Sequence, residues 1–241
     1  MTIKLVDGII TYSKSIKEAY NRFPWMNKNK TRVIYNGLKS IKEVNPVELK
    51  AIWNIPKNHL VFVAAGRLTT QKGFDLLIKA VSSMNGLKRP FSILIAGMGK
   101  ERKSLQDLID SHKLQNIKLI GFQNNLPSIL KAADYVIMPS RKEGMPNVVM
   151  ESMALGKPVL AANVNGVPEL LDHNKTGYIF DPMKAETVQE AIKFVLENHG
   201  SEQIAKWGSL AKEHVKNNFS LDKMLNELES YFYSQYAEAH R

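Results

Sequence analysis

The stretch LVFVAAGRLTTQKGFDLLIKAV, residues 60–81, contains one complete strand–loop–helix unit. Leu60–Gly66 is a continuous apolar run of the length typical of a fully buried strand. After a polar loop, apolar residues recur at helical spacing at Phe74, Leu77, Ile78 and Val81. This unit predicts the repeating element of an α/β domain.

The same unit recurs along the chain. Further strand candidates are Phe91–Gly97, Ile117–Gly121, Tyr135–Met138, Pro158–Ala161 and Tyr178–Phe180. Helical spacing lies between them, as at Leu105, Leu108 and Ile109. The alternation predicts an α/β fold with a doubly wound, Rossmann-like parallel sheet. After Pro182 the pattern predicts only helices up to Arg241, with breaks near Gly200 and Asn217–Ser220.

Three of the predicted strands end in glycine, at Gly66, Gly97 and Gly121. In open parallel sheets ligands bind beyond the carboxyl ends of the strands, and glycine lets the backbone approach a ligand closely. The alternative is that each glycine only closes a turn.

The first 58 residues differ from this pattern. Residues 8–13 predict a strand, Ser13–Phe23 a helix capped by Ser13 or Ser15, and Thr31–Asn36 a second strand. Residues 38–59 predict a polar linker with a short helix before Pro56. We therefore expect three parts: residues 1–58 as the end of another domain plus a linker, 59–199 as the ligand-binding domain, and 200–241 as C-terminal helices.

Composition excludes several classes of protein. The 241 residues are 44% hydrophobic and 23% charged, which is ordinary for a globular protein. The absence of cysteine excludes disulfides, thiolate zinc sites and a cysteine nucleophile. No apolar run approaches the roughly 18 residues of a membrane-spanning helix, and residues 1–14 lack the apolar core of a signal peptide. A cytoplasmic location is expected.

Positive charge is concentrated in the N-terminal part of the chain. Residues 1–58 hold 11 Lys/Arg against 4 Asp/Glu, within a formal net charge of +10 for the whole chain. An anionic membrane face, nucleic acid and an ordinary solvated surface could each explain this excess. No nucleic-acid partner is expected, since no zinc-finger, RNP or helix-turn-helix signature accompanies the charge.

The segment RKEGMPNVVMESMALGKP, residues 141–158, predicts a helix that begins near Pro146. Its free N–H groups, from Asn147 to about Val149, favour an anion such as phosphate. Glu143 precedes this helix end, and Glu151 lies about 7 Å along the axis at roughly 1.5 Å per residue. A nucleotide sugar has a matching layout, with a phosphate centre and hydroxyl-rich groups at both ends. The alternative is an amphipathic helix with buried Val149, Met153 and Leu155.

The loop GRLTTQKG, residues 66–73, provides two cations next to the first strand. Thr69 or Thr70 is a candidate helix cap, which would place Lys72 in the first helical turn, against the helix dipole. Arg67 and Lys72 together could bind a diphosphate. The alternative is a solvated surface pair.

Other ligand signatures are weak. Gly97-Met98-Gly99 lacks the third glycine of a dinucleotide fingerprint, and the sequence contains no P-loop. The six histidines show no zinc-ligand spacing. We expect no metal and no bound cofactor.

Taken together, the motifs resemble the donor-binding half of the retaining glycosyltransferases of family 4, over roughly residues 60–197. They are Gly66-Arg67-x4-Lys72-Gly73, the E-x7-E run from Glu143 to Glu151, Gly156-Lys157-Pro158-Val159, and Gly166-Val167-Pro168-Glu169 followed by Gly177. The resemblance implies the C-terminal half of a GT-B fold, in which two Rossmann-like domains face each other across a cleft. It also implies an N-terminal-type acceptor domain, most of which this sequence does not show.

The resemblance assigns roles to individual residues. Arg67 and Lys72 would hold the donor diphosphate and Glu143 the sugar hydroxyls, as the catalytic residues. The donor-binding set comprises Glu151 at the ribose, backbone around Gly144, Met145, Pro146, Asn147 and Val148 at sugar and phosphate, and Gly66, Gly97 and Gly121 near the nucleotide. Replacing Arg67 or Lys72 is expected to weaken diphosphate binding and barely disturb folding.

Three functions stay open on the sequence. The first is transfer of a hexose-type sugar from a nucleoside-diphosphate sugar with retention of configuration, in cell-surface polysaccharide or glycolipid synthesis. Its partners would be the nucleotide sugar, an N-terminal-type domain or chain, and an anionic membrane surface. The alternatives are a non-catalytic nucleotide-sugar-binding module and a sugar-nucleotide epimerase of similar fold.

Overall fold

The computed structural model describes residues 8–24, 27–41 and 44–239. What the sequence predicts for residues 1–7, 25–26, 42–43 and 240–241 lies outside the described residues. The described chain forms a six-stranded parallel sheet covered by helices and, near its start, a separate two-stranded parallel sheet.

The two-stranded sheet belongs to what we call the N-terminal unit, residues 8–24 and 27–36. It consists of β1 (Ile9–Thr11), α1 (Lys14–Asn21) and β2 (Thr31–Val33). The strands pair in parallel with Ile9 opposite Thr31. Ser13 caps α1 through its hydroxyl, which accepts the Ile16 N–H at 3.2 Å. The predicted order of strand, helix and strand is confirmed, with each element shorter than predicted.

The main sheet contains the six strands that the apolar runs predict, each within one residue of its predicted bounds. They are β3 (Leu60–Ala65), β4 (Phe91–Ala96), β5 (Ile117–Gly121), β6 (Tyr135–Met138), β7 (Val159–Ala162) and β8 (Gly177–Phe180). The strand order is β5-β4-β3-β6-β7-β8, all parallel. The predicted doubly wound α/β fold is confirmed.

Helices connect and cover these strands. Their bounds are α2 (Leu49–Ile52), α3 (Phe74–Ser82), α4 (Arg102–Ser111), α5 (Leu126–Ala132), α6 (Asn147–Ala154), α7 (Val167–Leu170), α8 (Ala185–Glu197), α9 (Glu202–Asn218) and α10 (Leu221–Ala239). α3 packs with α4 and α8, and α6 packs with α5 and α9. The two predicted breaks in the C-terminal helices fall between α8 and α9 and between α9 and α10.

Packing shows which segments share the core of the main sheet. Leu49 of α2 and Ile55 are buried in the same apolar cluster as the strands. α9 lies directly on the turn after α6, since a Cβ on Gly208 would stand 2.1 Å from the Gly156 carbonyl oxygen. The predicted domain boundaries at 58/59 and 199/200 stay a prediction.

The chain crosses between the N-terminal unit and the main sheet at two places that are bonded to each other. The Leu38 N–H donates to the Phe219 carbonyl at 2.8 Å, and the Leu221 N–H donates to the Leu38 carbonyl at 3.0 Å. α10 then returns to the N-terminal unit, where the Arg32 guanidinium lies 5.8 Å from the centre of the Tyr231 ring.

The strand order fixes where a ligand binds. Strand order reverses between β3 and β6, because the chain runs outward from β3 to β5 and then resumes on the other side at β6. In open parallel sheets the crevice at such a reversal, beyond the carboxyl ends of the strands, is the usual ligand site. The loops after β3 and β6 both leave the sheet there.

Candidate donor-binding site

A close ion pair links the two loops at the strand reversal. Lys72, after β3, lies with its Nζ 2.6 Å from Oε1 of Glu143, after β6. The Ser140 hydroxyl donates to the same oxygen at 2.6 Å. The Lys72 and Glu143 side chains are 19% and 8% exposed. In the described part of the chain nothing donates to Glu143 Oε2, so one carboxylate oxygen is held and the other is available to a ligand.

The pairing of Lys72 with Glu143 bears on how replacement of Lys72 affects folding stability. Glu143 is buried, so removing Lys72 leaves a buried carboxylate with only the Ser140 hydroxyl as a partner. A buried charge without its counter-ion destabilises a protein strongly. For Lys72 we therefore expect a loss of folding stability on replacement, in place of the expectation above that folding is barely disturbed. Replacement of the exposed Arg67 carries no such cost.

Lys72 also lies in a different element from the one predicted. It ends a single 3-10 turn, Thr70–Lys72, and α3 begins only after Gly73. Gly73 has φ +68, a left-handed conformation that glycine adopts without strain, and a Cβ there would stand 1.9 Å from the Pro139 carbonyl oxygen. Thr69 takes the predicted N-cap position and Lys72 lies in the turn that follows it, but this turn is a separate 3-10 turn and not the first turn of α3, because Gly73 separates the two elements.

Arg141 forms further hydrogen bonds between the loop after β6 and the loop after β3. Its guanidinium makes a bidentate pair with Asp75 of α3, with both N–O distances 2.7 Å. It also donates to the Thr70 carbonyl at 2.7 Å, and its backbone N–H donates to the Gln71 carbonyl at 2.8 Å. Burial opposes ionisation of Asp75, but the hydrogen bonds and charge of Arg141 outweigh it and hold its pKa below the ordinary value. No motif in the sequence indicates this pair.

A cleft of about 280 Å³ opens beside these loops at the ends of β3 and β4. It brings together four of the predicted residues, Gly66, Arg67, Gly97 and Val148. Its other lining residues are Ala65, Ala96, Met98, Phe122, Gln123 and Leu126. Gly121 does not line this cleft; its carbonyl accepts the Gly97 N–H at 2.8 Å.

The N-terminus of α6 faces the same region with fewer free N–H groups than predicted. Val149 N–H already donates to the Pro146 carbonyl at 3.1 Å. The predicted range of free groups therefore shortens to Asn147 and Val148, the first two helical residues. The Met145 and Pro146 side chains are buried, so only their backbone could contribute to a ligand site.

Glu151 is half-buried on α6, and its side chain has no hydrogen bond or ion pair with any described residue. Burial raises the pKa of its carboxyl group above the ordinary value. A desolvated carboxylate without a partner gains the most from a ligand that donates hydrogen bonds to it.

The described residues contain no group of three or more His, Asp or Glu side chains that could hold a metal ion. Within the same residues, no helix combines the length and the apolar character needed to cross a membrane.

A doubly wound sheet with cations, carboxylates and a helix N-terminus around the cleft at its strand reversal is the layout of a nucleotide-binding domain. The family model described as Glycosyl transferases group 1 matches residues 47–214. The chain therefore belongs to this glycosyltransferase family.

Similar proteins agree with this assignment. An uncharacterized glycosyltransferase of Methanocaldococcus jannaschii is 29% identical over 229 residues, which cover 91% of this chain and 58% of that protein. The O-antigen biosynthesis glycosyltransferase WclY of Escherichia coli is 28% identical over 195 residues, 80% of this chain and 53% of WclY. The chain thus spans little more than half the length of these relatives.

Among solved structures, Anabaena HepE in complex with UDP-glucose superimposes with a TM-score of 0.86 at 23% identity. The alignment covers 97% of this chain and 65% of HepE. This likeness establishes the fold, which is that of the C-terminal half of a GT-B glycosyltransferase.

Proposed function

We propose that this chain is the donor-binding portion of a retaining glycosyltransferase that transfers a hexose-type sugar from a nucleoside-diphosphate sugar to an acceptor. The observation that carries the proposal is the Lys72–Glu143 pair at the strand reversal, beside the cleft and the start of α6. A nucleotide sugar presents an anionic diphosphate bonded directly to a hydroxyl-rich ring. An adjacent cation and carboxylate match these two parts.

Arg67 and Lys72 would act on the diphosphate. Negative charge grows on the phosphate oxygens as the bond between sugar and diphosphate breaks, and fixed cations stabilise that charge in the transition state. Arg67 is exposed in the cleft, where its guanidinium can bind two oxygens, and Lys72 is already held in place by Glu143. These two side chains would supply the charge stabilisation without a metal.

Glu143 would bind the sugar. Its Oε1 is occupied by Lys72 and Ser140, which fixes the carboxylate, and its Oε2 is left to accept a sugar hydroxyl. The amides of Asn147 and Val148 would hold a phosphate or sugar oxygen at the start of α6.

The nucleoside would occupy the other side of the cleft. The Glu151 carboxylate, which has no partner among the described residues, would accept hydrogen bonds from the ribose hydroxyls. The base would lie near Gly97 and the segment that follows Gly121, where Phe122 and Gln123 line the cleft.

Similar proteins suggest which donor to test first. HepE was crystallised with UDP-glucose and WclY is named for O-antigen biosynthesis. We therefore take a UDP-hexose as the first candidate donor and cell-surface polysaccharide or glycolipid synthesis as the candidate pathway. The basic charge of residues 1–58 would then meet an N-terminal-type domain or an anionic membrane surface, at the cytoplasmic face.

The second candidate is a nucleotide-sugar-binding module without transfer activity. It relies on the same described residues, since the roles proposed above all concern the donor. Transfer requires an acceptor held in near-attack geometry, which can lower the barrier by about 7–11 kcal/mol. We expect the chain alone to bind the donor and to transfer it slowly.

The first experiment is a thermal-shift screen of the purified chain against UDP-, GDP- and ADP-sugars. A ligand at 100 times its dissociation constant stabilises the native state by about 2.7 kcal/mol. The best donor is then incubated with and without acceptor, with and without an added N-terminal-type domain. Transfer of the sugar supports the glycosyltransferase. Binding without any reaction supports the binding module, and interconversion of the donor supports the epimerase.

Paired variants test the assigned roles. Glu143→Gln should weaken UDP-glucose and spare UDP, because Glu143 would contact only the sugar. Glu151→Gln should weaken both ligands, because the ribose is common to them. Glu213→Gln, on the exposed side of α9, is the matched control. Equal losses for both ligands in Glu143→Gln contradict its assignment to the sugar.

A further inference from the structure

Glu169 of α7 bonds to the N-terminal unit through four hydrogen bonds. The Lys14 N–H donates to both carboxylate oxygens at 2.9 Å, and the Ser15 N–H donates to Oε1 at 3.3 Å. The Tyr35 hydroxyl donates to Oε2 at 2.8 Å. A carboxylate at the first amides of a helix is also favoured by the helix dipole. Glu169 therefore fixes the position at which α1 begins.

The loops that contain Tyr12, Gly144 and Gly166 pack closely against one another beside the Glu169 hydrogen bonds. The Gly166 N–H donates to the Gly144 carbonyl at 3.1 Å. A Cβ on Gly166 would stand 2.3 Å from that carbonyl oxygen and 3.2 Å from Cβ of Ser13. A Cβ on Gly144 would stand 2.1 Å from Cε2 of Tyr12. Tyr12, Gly144 and Gly166 thus form a junction of three loops, which we call the three-loop junction.

The three-loop junction lies next to the candidate sugar site. Gly144 follows Glu143 directly in the chain, and it is held between the Tyr12 ring, which its Cα faces, and the Gly166 N–H, which donates to its carbonyl. Tyr12 is 44% exposed, whereas its neighbours Thr11 and Ser13 are 2% and 0% exposed. The backbone of this segment is therefore firmly packed while the Tyr12 ring covers Gly144 from the N-terminal unit.

We infer that Glu169 is a positioning residue for the donor sugar: by fixing the start of α1 it keeps Tyr12 on Gly144 and so holds the Glu143 carboxylate in its sugar-binding position. This inference rests on the proposed function, because it assumes that Glu143 contacts the sugar. Glu169 acts through Tyr12 and Gly144 and touches no substrate itself. It makes a segment outside the main sheet part of the donor-sugar site.

A purely structural Glu169 would behave differently. Loss of its hydrogen bonds would then lower the melting temperature and leave the relative affinities for UDP-glucose and UDP unchanged. A positioning Glu169 changes the ratio of these affinities, because only UDP-glucose carries the sugar that Glu143 would bind.

The test compares Glu169→Gln, Tyr12→Ala and Tyr35→Phe with the matched control Glu213→Gln. Gln keeps the shape of Glu169 but turns an N–H₂ group toward N–H donors, and Tyr35→Phe removes one donor while the backbone bonds remain. Calorimetric titrations with UDP-glucose and with UDP are carried out well below each melting temperature. We expect Glu169→Gln and Tyr12→Ala to weaken UDP-glucose by about fivefold to tenfold, the loss of about one hydrogen bond, and UDP by less than about twofold. Tyr35→Phe should have a smaller effect of the same kind.

A ligand-free measurement separates failure of this inference from failure of the proposed function. The ¹H–¹⁵N signal of the Gly144 amide should move in Glu169→Gln and stay in place in Glu213→Gln. If wild-type chain binds neither UDP-glucose nor UDP, the proposed function fails, whereas the Gly144 signal still shows whether Glu169 positions this loop. An unmoved Gly144 signal, or equal losses for the two ligands, overturns the inference.

Discussion

The Lys72–Glu143 pair leads to an asymmetric prediction for folding stability. Lys72→Met removes the cation from a carboxylate that is 8% exposed, whereas Glu143→Gln leaves a cation that is 19% exposed and closer to water. The side-chain amide introduced by Glu143→Gln can still accept from Lys72 and from Ser140. We therefore expect Lys72→Met to destabilise the protein far more than Glu143→Gln, and the double variant to recover most of the difference.

The magnitudes follow from burial. Removing one member of a buried ion pair costs about 3–5 kcal/mol, and we take about 3 kcal/mol because Lys72 is partly exposed. Replacing a charged acceptor by a neutral one should cost about 1 kcal/mol in Glu143→Gln. The double variant contains no buried charge, so we expect a total loss of about 1.5 kcal/mol and a coupling of roughly 2.5 kcal/mol between the two positions.

Thermal and urea unfolding of the four proteins measure this cycle without any ligand. For a chain of this length about 1 kcal/mol corresponds to roughly 2–4 °C, so Lys72→Met should melt about 6–12 °C below wild type. Lys212→Met, at an exposed lysine of α9, is the matched control and should have the same melting temperature as wild type. A melting temperature of Lys72→Met within about 2 °C of wild type, or a double variant no more stable than Lys72→Met, would refute the reasoning.

Three further predictions concern other parts of the site and the core. Glu151→Gln should melt at or above wild type at pH 7, because burial raises the pKa of Glu151 and the native state is stabilised when this group is uncharged. Asp75→Asn should lose about 1–2 kcal/mol at pH 7 through its weaker pairing with Arg141. That difference should disappear as pH falls from the ordinary Asp value of about 3.9 through the lowered native pKa. Gly208→Ala should cost about 1–3 kcal/mol, because its Cβ would press on the Gly156 carbonyl and push α9 from α6.

Each of these predictions has a result that contradicts it. A clear loss of stability in Glu151→Gln at pH 7 would mean that the charged carboxylate has a partner in the native state. A difference between wild type and Asp75→Asn that persists unchanged at pH 2–3 would exclude the carboxylate charge as its source. A Gly208→Ala variant as stable as wild type would show that α9 can shift without cost.

The main sheet could be predicted because its strands are buried on both faces. Such strands are continuous apolar runs, and glycine or a polar loop marks their ends, as at Leu60–Gly66. The carboxyl-end rule then places the loops after β3 and β6 together without any knowledge of contacts. The proximity of Lys72 and Glu143 follows from this topology.

The long-range hydrogen bonds of Arg141 and Glu169 could not be predicted in the same way. Arg141 bonds to Asp75 and Glu169 bonds to Lys14 across 66 and 155 positions, and no local periodicity relates residues so far apart. The predicted continuity of the Lys72 turn with α3 was wrong for a local reason: Gly73 ends the 3-10 turn that contains Lys72, and α3 begins only after it. A Lys-Gly pair directly before an apolar helical pattern is a signal that could have indicated the break.

The paired crossings at Leu38 and Phe219–Leu221 restrict how the N-terminal unit can move. A body attached by one flexible segment can swivel in any direction. A body attached by two segments that are hydrogen-bonded side by side bends readily about the line across them and resists twisting. The hydrogen bonds of Glu169 add a further attachment to the N-terminal unit, so we expect them to oppose this bending.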